Sequence, residues 1–188
     1  MRAVSSASPE QAIARVRAWI ERFVVDLNLC PFARPVVSSD ALRIVACESA
    51  SPEAIATMLI TELDRLSQSS ESDIATSVLV FPEGLEAFDD YLGLLDDAQT
   101  VLDEMGLAGE IQIASFHPDY RFEGEPIDAV SHFTNRAPYP LIHLLRETMV
   151  STALENHPNA ERIPERNVQT LERLGLASIE RLLYSLDD

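Results

Sequence analysis

The residues with the greatest capacity for chemistry lie together in one stretch, Ser115–Glu147. The stretch holds three of the four histidines, two of the four tyrosines and three of the fourteen arginines of the chain. It follows directly on an apolar run, Ile111–Phe116, that is typical of a strand. Ligands of α/β proteins gather at the carboxyl ends of strands. We therefore expect this stretch to build the functional site.

Two histidines and two carboxylates of the stretch have the residue types of a metal site. His117 and Asp119 follow the predicted strand, and His143 and Glu147 stand four apart on a predicted helix. Residues four apart on a helix share a face, with about 5–6 Å between their Cβ atoms. Imidazole nitrogens and carboxylate oxygens suit Zn²⁺, Mn²⁺ or Fe²⁺. These four residues are therefore candidate metal ligands; the alternative is a hydrogen-bonded network joining the loop to the helix.

The same side chains are candidates for acid–base catalysis. His117, Asp119 and His143 would transfer protons, and Tyr139 would donate a hydrogen bond or a proton. A bound divalent cation generates hydroxide near neutral pH, so metal-assisted hydrolysis is the reaction class that fits this set. The alternative for the tyrosine is packing against the core. The fourth histidine, His157, lies in a polar loop and is expected to be plain surface.

Arginines in and beside the stretch suit an anionic ligand, because a guanidinium group grips carboxylate or phosphate with two parallel hydrogen bonds. Arg136 is the main candidate, and Asn135 and Arg121 are further candidate binding residues. The helix predicted to begin next would add its own preference for anions. The alternative is that the arginines pair with the abundant Asp and Glu, and we expect such a structural role for Arg146 and Arg166.

These candidates define one predicted pocket. We expect His117, Asp119, Arg136 and His143 to converge beyond the end of the third strand, with Glu147 one turn further along the helix. If the two histidines lay on opposite faces of the molecule, the hypothesis of an enzyme would lose its main support.

Cys30 has the residue type of a nucleophile, with His117 or His143 as its base and Asn135 as the orienting residue. It falls at the predicted C-terminal end of the first helix, where the helix dipole disfavours a thiolate. Its sequence neighbours are apolar, and a buried free cysteine is common. We therefore predict a slowly reacting thiol with a structural or metal-ligand role.

The formal net charge of −17 argues against some classes of binding partner. A surface this acidic repels nucleic-acid phosphates and anionic lipids, so we expect neither nucleic acid nor membrane as a partner. All fourteen basic residues are arginine, and without lysine the chemistry of Schiff-base aldolases and of pyridoxal phosphate is excluded. The chain also lacks the glycine-rich patterns of P-loop and dinucleotide-binding domains. A small anionic molecule remains the expected partner.

Length and composition suit a single soluble domain, which we place at residues 8–186. No apolar run approaches the ~20 residues of a membrane span, and the N-terminal residues lack the apolar stretch of a signal peptide. Two cysteines cannot make a disulfide framework. We therefore expect a cytoplasmic protein, and the sequence leaves its oligomeric state open.

Alternating helix-like and strand-like runs must position the candidate residues. Ser8 caps a first helix, which Pro31 ends at or before Cys30. The predicted strands are Leu42–Cys47, Ser77–Phe81 and Ile111–Phe116. The later predicted helices are Ile55–Leu66, Leu85–Met105, Pro140–Leu154, Pro164–Leu174 and Ser178–Leu186. Because strand–helix–strand units cross over in parallel, we predict a small layered α/β fold. It has a short, mostly parallel sheet of neighbouring strands and a helical C-terminus; a ferredoxin-like α+β arrangement is the alternative.

Five separated segments give the chain a signature. They are LNLCPFA (27–33), FHPDYRF (116–122), TNRAPYP (134–140), HLLRE (143–147) and IPERN (163–167). In this order they resemble an uncharacterised bacterial family that carries a domain-of-unknown-function label. The resemblance covers roughly 14–175; it implies that the segments belong together and implies no activity. Two hypotheses follow: an enzyme acting on a small anionic molecule, or a non-catalytic module that binds a ligand or protein and uses the polar stretch as a structural network.

Overall fold

The structure, a computed structural model, describes residues 7–184. Within that range the chain forms four strands and seven α-helices. The strands are β1 (Leu42–Ala46), β2 (Thr76–Val80), β3 (Ile111–Phe116) and β4 (Leu141–Arg146). The helices are α1 (Pro9–Trp19), α2 (Ala33–Ser38), α3 (Pro52–Gln68), α4 (Phe88–Glu104), α5 (Glu147–Asn156), α6 (Ile163–Leu174) and α7 (Leu176–Tyr184). A π-helix (Ile20–Val25) continues α1, and two 3₁₀ turns lie at Val130–Thr134 and Ala160–Arg162.

The four strands form one mixed sheet in the order β1-β2-β4-β3. β1 and β2 pair in parallel, whereas β4 pairs antiparallel with both β2 and β3. Three strands therefore run in the same direction, but only the β1–β2 pairing is parallel. The α/β class and the helical C-terminus predicted from the sequence are confirmed. The prediction that the first three strands are direct neighbours is wrong at one place, because β4 separates β2 from β3.

The strand that separates them was predicted as part of a helix. The helix expected over Pro140–Leu154 begins only at Glu147, and Leu141–Arg146 is β4. The run LIHLLR is too short and too apolar for its periodicity to distinguish a strand from a buried helix. Burial decides between them, since β4 lies in the middle of the sheet and is covered on both faces. His143 and Glu147 therefore do not share a helix face.

Helices cover both faces of the sheet and enclose two cores. One core lies against α1, the π-helix, α6 and α7, and its buried side chains include Trp19, Phe23, Leu141 and Leu171. The other core lies against α3 and α4, and its buried side chains include Leu63, Tyr91, Leu102 and Ile142. Alternation along β4 sends successive side chains to different cores. Each large apolar side chain buried in this way contributes about 1.5–3 kcal/mol.

The first helix starts as predicted and ends earlier than predicted. Ser8 is its N-cap and forms a capping box with Gln11. After Trp19 the helix widens into the π-helix and ends near Asp26, four residues before Cys30. Asn28 then takes the left-handed conformation, with φ of 53°, which asparagine tolerates better than most residues. Cys30 therefore lies in a turn ahead of the short helix α2, and not at the end of a helix.

The two C-terminal helices predicted from the sequence are present, although the end of the last one, predicted at Leu186, lies outside the described residues. None of the helices within residues 7–184 combines the length and the apolar character that a membrane span needs.

Candidate functional site

His117, at the end of β3, is fully buried and bonded through both ring nitrogens. Its Nε2 lies 2.9 Å from the carbonyl oxygen of Leu85, and its Nδ1 accepts the backbone N–H of Asp119 at 3.0 Å. Because Nδ1 accepts a proton donor, the neutral ring carries its own proton on Nε2 and donates it to Leu85. Burial lowers the pKa of His117 and so favours this neutral form. No ring nitrogen is left for a metal or a substrate.

His132, which the sequence did not single out as a site residue, repeats this arrangement. Its Nδ1 accepts the backbone N–H of Phe122 at 3.1 Å, and its Nε2 lies 2.8 Å from the carbonyl oxygen of Pro126. The ring is fully buried. The ring therefore links the backbone of Phe122 to that of Pro126 within the long loop after β3. This is a structural role.

Asn135 and Arg136 belong to the same network. The side-chain amide of Asn135 donates to the carbonyl oxygen of Ser115 at 3.1 Å. The backbone carbonyl oxygen of Asn135 accepts the backbone N–H of His117 at 3.1 Å. The Nε of Arg136 lies 3.4 Å from the carbonyl oxygen of Tyr120, and its guanidinium carbon stands 4.3 Å from the centre of the Phe133 ring. The segments FHPDYRF and TNRAPYP thus hold each other in place.

His143 lies elsewhere, in the middle of β4. Its Nε2 is 2.7 Å from the hydroxyl oxygen of Thr76, and that hydroxyl donates to the carbonyl oxygen of Leu144 at 2.5 Å. A hydroxyl has one proton to donate, so His143 donates from Nε2 and carries its lone pair on Nδ1. Burial lowers the pKa of His143 to about 4. The ring is therefore neutral near neutral pH.

The structure brings His117, Asn135 and Arg136 into one network but places His143 away from them. The ring of His117 contacts Phe88 and Tyr91 of α4, with centroids 5.2 and 5.1 Å away. The ring of His143 lies near the ring of Phe116, with 6.4 Å between the two centroids. Phe116 in turn packs against Trp19 of α1. The two histidines therefore face opposite sides of the sheet, and the predicted common pocket is wrong.

The remaining predicted residues are dispersed as well. Glu147 begins α5, where its backbone N–H bonds the carbonyl oxygen of Glu110 at 2.9 Å. Tyr139 is buried in the α1-side core, with the guanidinium carbon of Arg15 5.7 Å from its ring centre. Asp119 and Arg121 are exposed in the loop after β3. Among residues 7–184, no group of three or more His, Cys, Asp or Glu side chains is placed to hold a metal ion.

A cavity of about 300 Å³ lies at a different place, where the chain turns from α5 into α6. One wall is the turn His157–Asn159, and the other is one face of α6 with the residue before it. The side chains on that face are Arg162, Ile163, Glu165, Arg166 and Gln169. Residues three, four and seven apart on a helix form one stripe, so Arg162, Glu165, Arg166 and Gln169 line the cavity along its length. We call this cavity the α6 cleft.

The segment LNLCPFA supports the α6 cleft from beneath. The Phe32 ring meets the His157 ring edge-on, with 5.6 Å between centroids. Arg166 donates to the carbonyl oxygen of Asn28 at 3.3 Å, and Asn167 donates to that of Leu29 at 2.6 Å. These carbonyls follow the end of the π-helix, where helical partners run out. Residues 138 positions apart in the chain thus fix the cleft.

The α6 cleft is locally basic in an acidic protein. Its lining has two guanidinium groups, from Arg162 and Arg166, and one carboxylate, Glu165, against a net charge of −17 for the chain. Arg162 Nε lies 3.5 Å from a carboxylate oxygen of Glu165, and both side chains are exposed. Arg166 donates one hydrogen bond to Asn28. Because a guanidinium group has five N–H donors, this bond does not exhaust its capacity to donate. Ile163, the first residue of α6, also lines the cleft, so the partial positive charge at the amino end of the helix lies beside it.

Cys30 is half-buried next to this supporting segment. Burial raises the pKa of its thiol, opposed by the backbone N–H groups of Phe32 and Ala33. A raised pKa is what a slowly reacting thiol requires. The low reactivity of Cys30 stays a prediction, and its reason is now burial and not the end of a helix.

The sequence did not point to the α6 cleft. His157 was expected to be plain surface, Arg166 was expected to be structural, and Arg162 and Gln169 were not considered. A polar stripe on a helix is ordinarily a solvated face. This stripe lines a cavity only because the His157–Asn159 turn lies opposite it. The one available signal was two arginines four residues apart at the predicted start of a helix.

The family model for a protein of unknown function, DUF1415, matches residues 11–181 of this chain. No curated protein and no solved structure matches it.

Proposed function

The chain belongs to the DUF1415 family, and we propose that it is a binding module for a small anionic molecule, held in the α6 cleft. One observation carries the proposal. Arg162 and Arg166 line a cavity of about 300 Å³ at the amino end of a 12-residue helix. Guanidinium groups and helix N-termini both favour carboxylate or phosphate groups.

The large negative charge of the chain does not oppose such binding at short range. Two unit charges 4 Å apart interact by about 4 kcal/mol at an effective dielectric constant of 20. Charges further apart than ~8 Å are largely screened at physiological ionic strength. An anion in contact with Arg162 and Arg166 therefore responds mainly to these arginines and to Glu165, and the distant acidic surface adds little.

The proposal keeps the anionic ligand predicted from the sequence and changes its site. The rings of His117 and His132 and the amide nitrogen of Asn135 form their hydrogen bonds with backbone groups. This supports the hypothesis that the polar stretch is a structural network. The proposal requires no metal ion and no proton transfer by these side chains. It therefore follows the second of the two hypotheses, a non-catalytic module that binds a ligand.

Substitution of the two arginines tests the proposal. We expect Arg162→Gln and Arg166→Gln each to weaken the binding of inorganic phosphate or acetate about tenfold or more, because one charge-assisted hydrogen bond is worth about 1.5–3 kcal/mol. Titration calorimetry at a constant ionic strength of about 0.15 M, where the screening length is ~8 Å, measures the dissociation constants. Arg173→Gln is the matched control: it removes the same charge from α6, but Arg173 bonds Gln169 and Thr170 on its own helix.

Two results would overturn the proposal. One is a wild-type protein that binds neither anion, and the other is equal affinity in the wild type and in both cleft variants. Since Arg166 also bonds Asn28, its variant needs a thermal unfolding curve to show that the fold is intact. Arg162 has no such bond to the supporting segment among the contacts above, so its variant isolates the effect on the ligand.

A further inference from the structure

β3 forms one edge of the sheet, and half of its backbone groups point away from the other strands. The N–H of Glu147 bonds the carbonyl oxygen of Glu110 at 2.9 Å, and these residues lie opposite each other just outside the β3–β4 pairing. Hydrogen bonds to an antiparallel neighbour recur at every second residue, so Gln112, Ala114 and Phe116 direct their N–H and C=O groups towards β4. The odd-numbered residues of β3 direct theirs outwards.

Four of these outward groups have no hydrogen-bond partner within residues 7–184. The N–H of Ile111 bonds the carbonyl oxygen of Leu107, and the C=O of Ser115 accepts the side-chain amide of Asn135. The groups left over are the C=O of Ile111, both backbone groups of Ile113 and the N–H of Ser115. No strand lies on that side of β3, and Ile113 and Ser115 are only half-buried. This row of donors and acceptors is therefore available to a partner.

The sequence of β3 does not protect this edge. Exposed edges of natural sheets ordinarily carry charged residues or proline, which prevent a further strand from pairing. β3 reads IQIASF and has neither. β1, at the other edge, has Arg43, which forms two hydrogen bonds with Glu62 of α3. Of the two edges, β3 is thus the one suited to strand pairing.

The charge beside β3 favours a cationic partner. α4 packs against β3 and has no basic residue. Its acidic residues are Asp89, Asp90, Asp96, Asp97, Asp103 and Glu104. A second copy of this chain paired through β3 would bring two such helices onto the same face of one joined sheet, where they would repel each other. A positively charged segment would be attracted instead.

Two of these carboxylates lie on the flank of α4 that faces the end of β3. The ring of Phe88 lies 5.3 Å from that of Tyr120, which follows β3, and so marks this flank. At about 100° per residue, Asp96 and Asp103 lie within about 80° of Phe88 around the helix, whereas Asp97 and Glu104 are about 160–180° away.

From these observations we infer that the edge of β3 binds an extended, positively charged segment of another protein, which adds to the sheet as a further strand. The backbone groups of Ile111, Ile113 and Ser115 bond the segment, and its lysine or arginine side chains lie near the carboxylates of α4. Strand addition is a general mode of peptide recognition, in which main-chain hydrogen bonds supply affinity. The inference does not depend on the α6 cleft.

A model peptide tests the inference. The probe is a capped heptapeptide of alternating lysine and valine, KVKVKVK, because valine favours extended structure and lysine supplies the charge. We expect the wild-type protein to bind it about tenfold or more tightly than two control peptides. One is EVEVEVE, and the other is KVKVKVK methylated at every backbone nitrogen, which keeps the charge but donates no hydrogen bond.

Fluorescence anisotropy of labelled peptides, at a constant ionic strength of about 0.15 M where the screening length is ~8 Å, measures the dissociation constants. If the wild-type protein does not bind KVKVKVK, the inference is wrong. Equal affinity for the methylated peptide would show that charge alone attracts the probe, and would also overturn it.

Ile113→Pro blocks the edge on the protein itself. Proline has no N–H, and because the N–H of Ile113 points away from β4, the substitution removes no hydrogen bond of the sheet. We expect this variant to bind KVKVKVK about tenfold more weakly, whereas Ile113→Val, which keeps the N–H, binds as the wild type does. Urea unfolding shows whether the proline variant is folded. Wild-type affinity in the folded variant would contradict the inference; if the variant is unfolded, the methylated peptide decides alone.

Paired substitutions on α4 test the contribution of charge. The double variant Asp96→Asn, Asp103→Asn removes two charges from the flank near β3, and Asp97→Asn, Glu104→Gln removes two from the other side of the helix. We expect the first to weaken the binding of KVKVKVK about threefold relative to the second, because nearby charges are screened least. Equal losses would mean that the peptide responds to the net charge of the chain and not to this edge.

Sedimentation of the protein without peptide examines a second copy as the partner. We expect a monomer at the concentrations of the binding experiment. A dimer that Ile113→Pro converts to a monomer would show that β3 pairs with itself, and the inferred cationic partner would be wrong.

Discussion

Histidines in this chain illustrate why residue type alone does not establish chemistry. A neutral imidazole is both donor and acceptor, so it can join a backbone N–H to a backbone carbonyl in a place without water. His117 and His132 do so at the two ends of one loop. The sequence identified the loop as rich in chemistry, but the partners at hydrogen-bonding distance, which only the fold supplies, make these histidines structural.

The lowered pKa of His143 makes the stability of the protein depend on pH. Its pKa falls from the ordinary 6.5 to about 4 in the folded state. Between these values the unfolded chain binds a proton that the folded chain does not, so the free energy of unfolding decreases as the pH falls from 6.5 towards 4. At ~1.4 kcal/mol per unit of pKa, this group alone removes up to about 3 kcal/mol.

The variant His143→Gln tests this dependence. Glutamine keeps a donor for the Thr76 hydroxyl but does not titrate. We expect the variant to be less stable than the wild type at pH 7 and to lose less stability between pH 6.5 and 4.5, as measured by urea unfolding across that range. The same pH slope in both proteins would show that His143 is not the responsible group.

At the scale of elements, one strand accounts for most of the difference between the expected and the observed site. The three strands with continuous apolar or β-branched runs were located from the sequence within one residue at each end. In β4 the residues LIHLLR fit helix and strand equally. Because a strand alternates its side chains, His143 turns to the α1 side of the sheet and loses its alignment with Glu147. The predicted metal site depended on that one assignment.

Contacts between segments that are distant in the chain could not be predicted from local sequence patterns either. Asn167 and Leu29 are 138 residues apart, yet their hydrogen bond of 2.6 Å supports the α6 cleft. Local patterns predicted the helices on both sides of this contact, since capping residues and apolar spacing act within a few residues. They do not encode which helices meet. The cleft therefore appears only when the elements are assembled.

The turn after β2 is a second element with a defined role, since it supplies a hydrogen-bond partner of His117. Gly84 has φ of +86°, and a Cβ placed on it would lie 2.5 Å from the Cβ of Ala50. This turn carries Leu85, whose carbonyl oxygen accepts the proton of His117. We expect Gly84→Ala to destabilise the protein by about 2–5 kcal/mol, because left-handed strain of roughly 1–2 kcal/mol adds to a steric clash of roughly 1–3 kcal/mol.

Gly124→Ala is the matched control for this turn. Gly124 has a similar φ of +79°, but a Cβ there would meet no atom within 4 Å. The control should therefore lose only the strain, roughly 1–2 kcal/mol. Urea unfolding of the two variants separates the effects, and equal losses would mean that the contact with Ala50 is not a constraint on the turn.

At the scale of the whole molecule, the five signature segments are grouped in space. FHPDYRF and TNRAPYP bond each other around His117 and Asn135. LNLCPFA and IPERN meet through the carbonyl groups of Asn28 and Leu29. HLLRE begins within β4, between β2 and β3. The segments thus hold together the loop after β3, the centre of the sheet and the α6 cleft.

The net charge of −17 predicts that the stability of the whole molecule depends on salt. A folded chain of this length has a radius of gyration of about 16 Å. The screening length is ~30 Å at 0.01 M salt and ~8 Å at 0.15 M, so at the lower concentration every carboxylate in the folded protein repels the others. Unfolding spreads these charges apart and relieves the repulsion.

We therefore expect the melting temperature at neutral pH to rise by several degrees when NaCl increases from 0.01 to 0.15 M, because 1 kcal/mol shifts the melting temperature of a protein of this size by about 2–4 °C. KCl should act equally, since screening depends on ionic strength and not on the identity of the ion. A ligand anion that fits the α6 cleft should add a further rise at constant ionic strength, and Arg162→Gln should remove that further rise but keep the response to NaCl. Differential scanning calorimetry measures both effects. A melting temperature that falls or stays constant with NaCl would show that the acidic side chains are too dispersed, or too well paired with arginine, for their mutual repulsion to affect the fold.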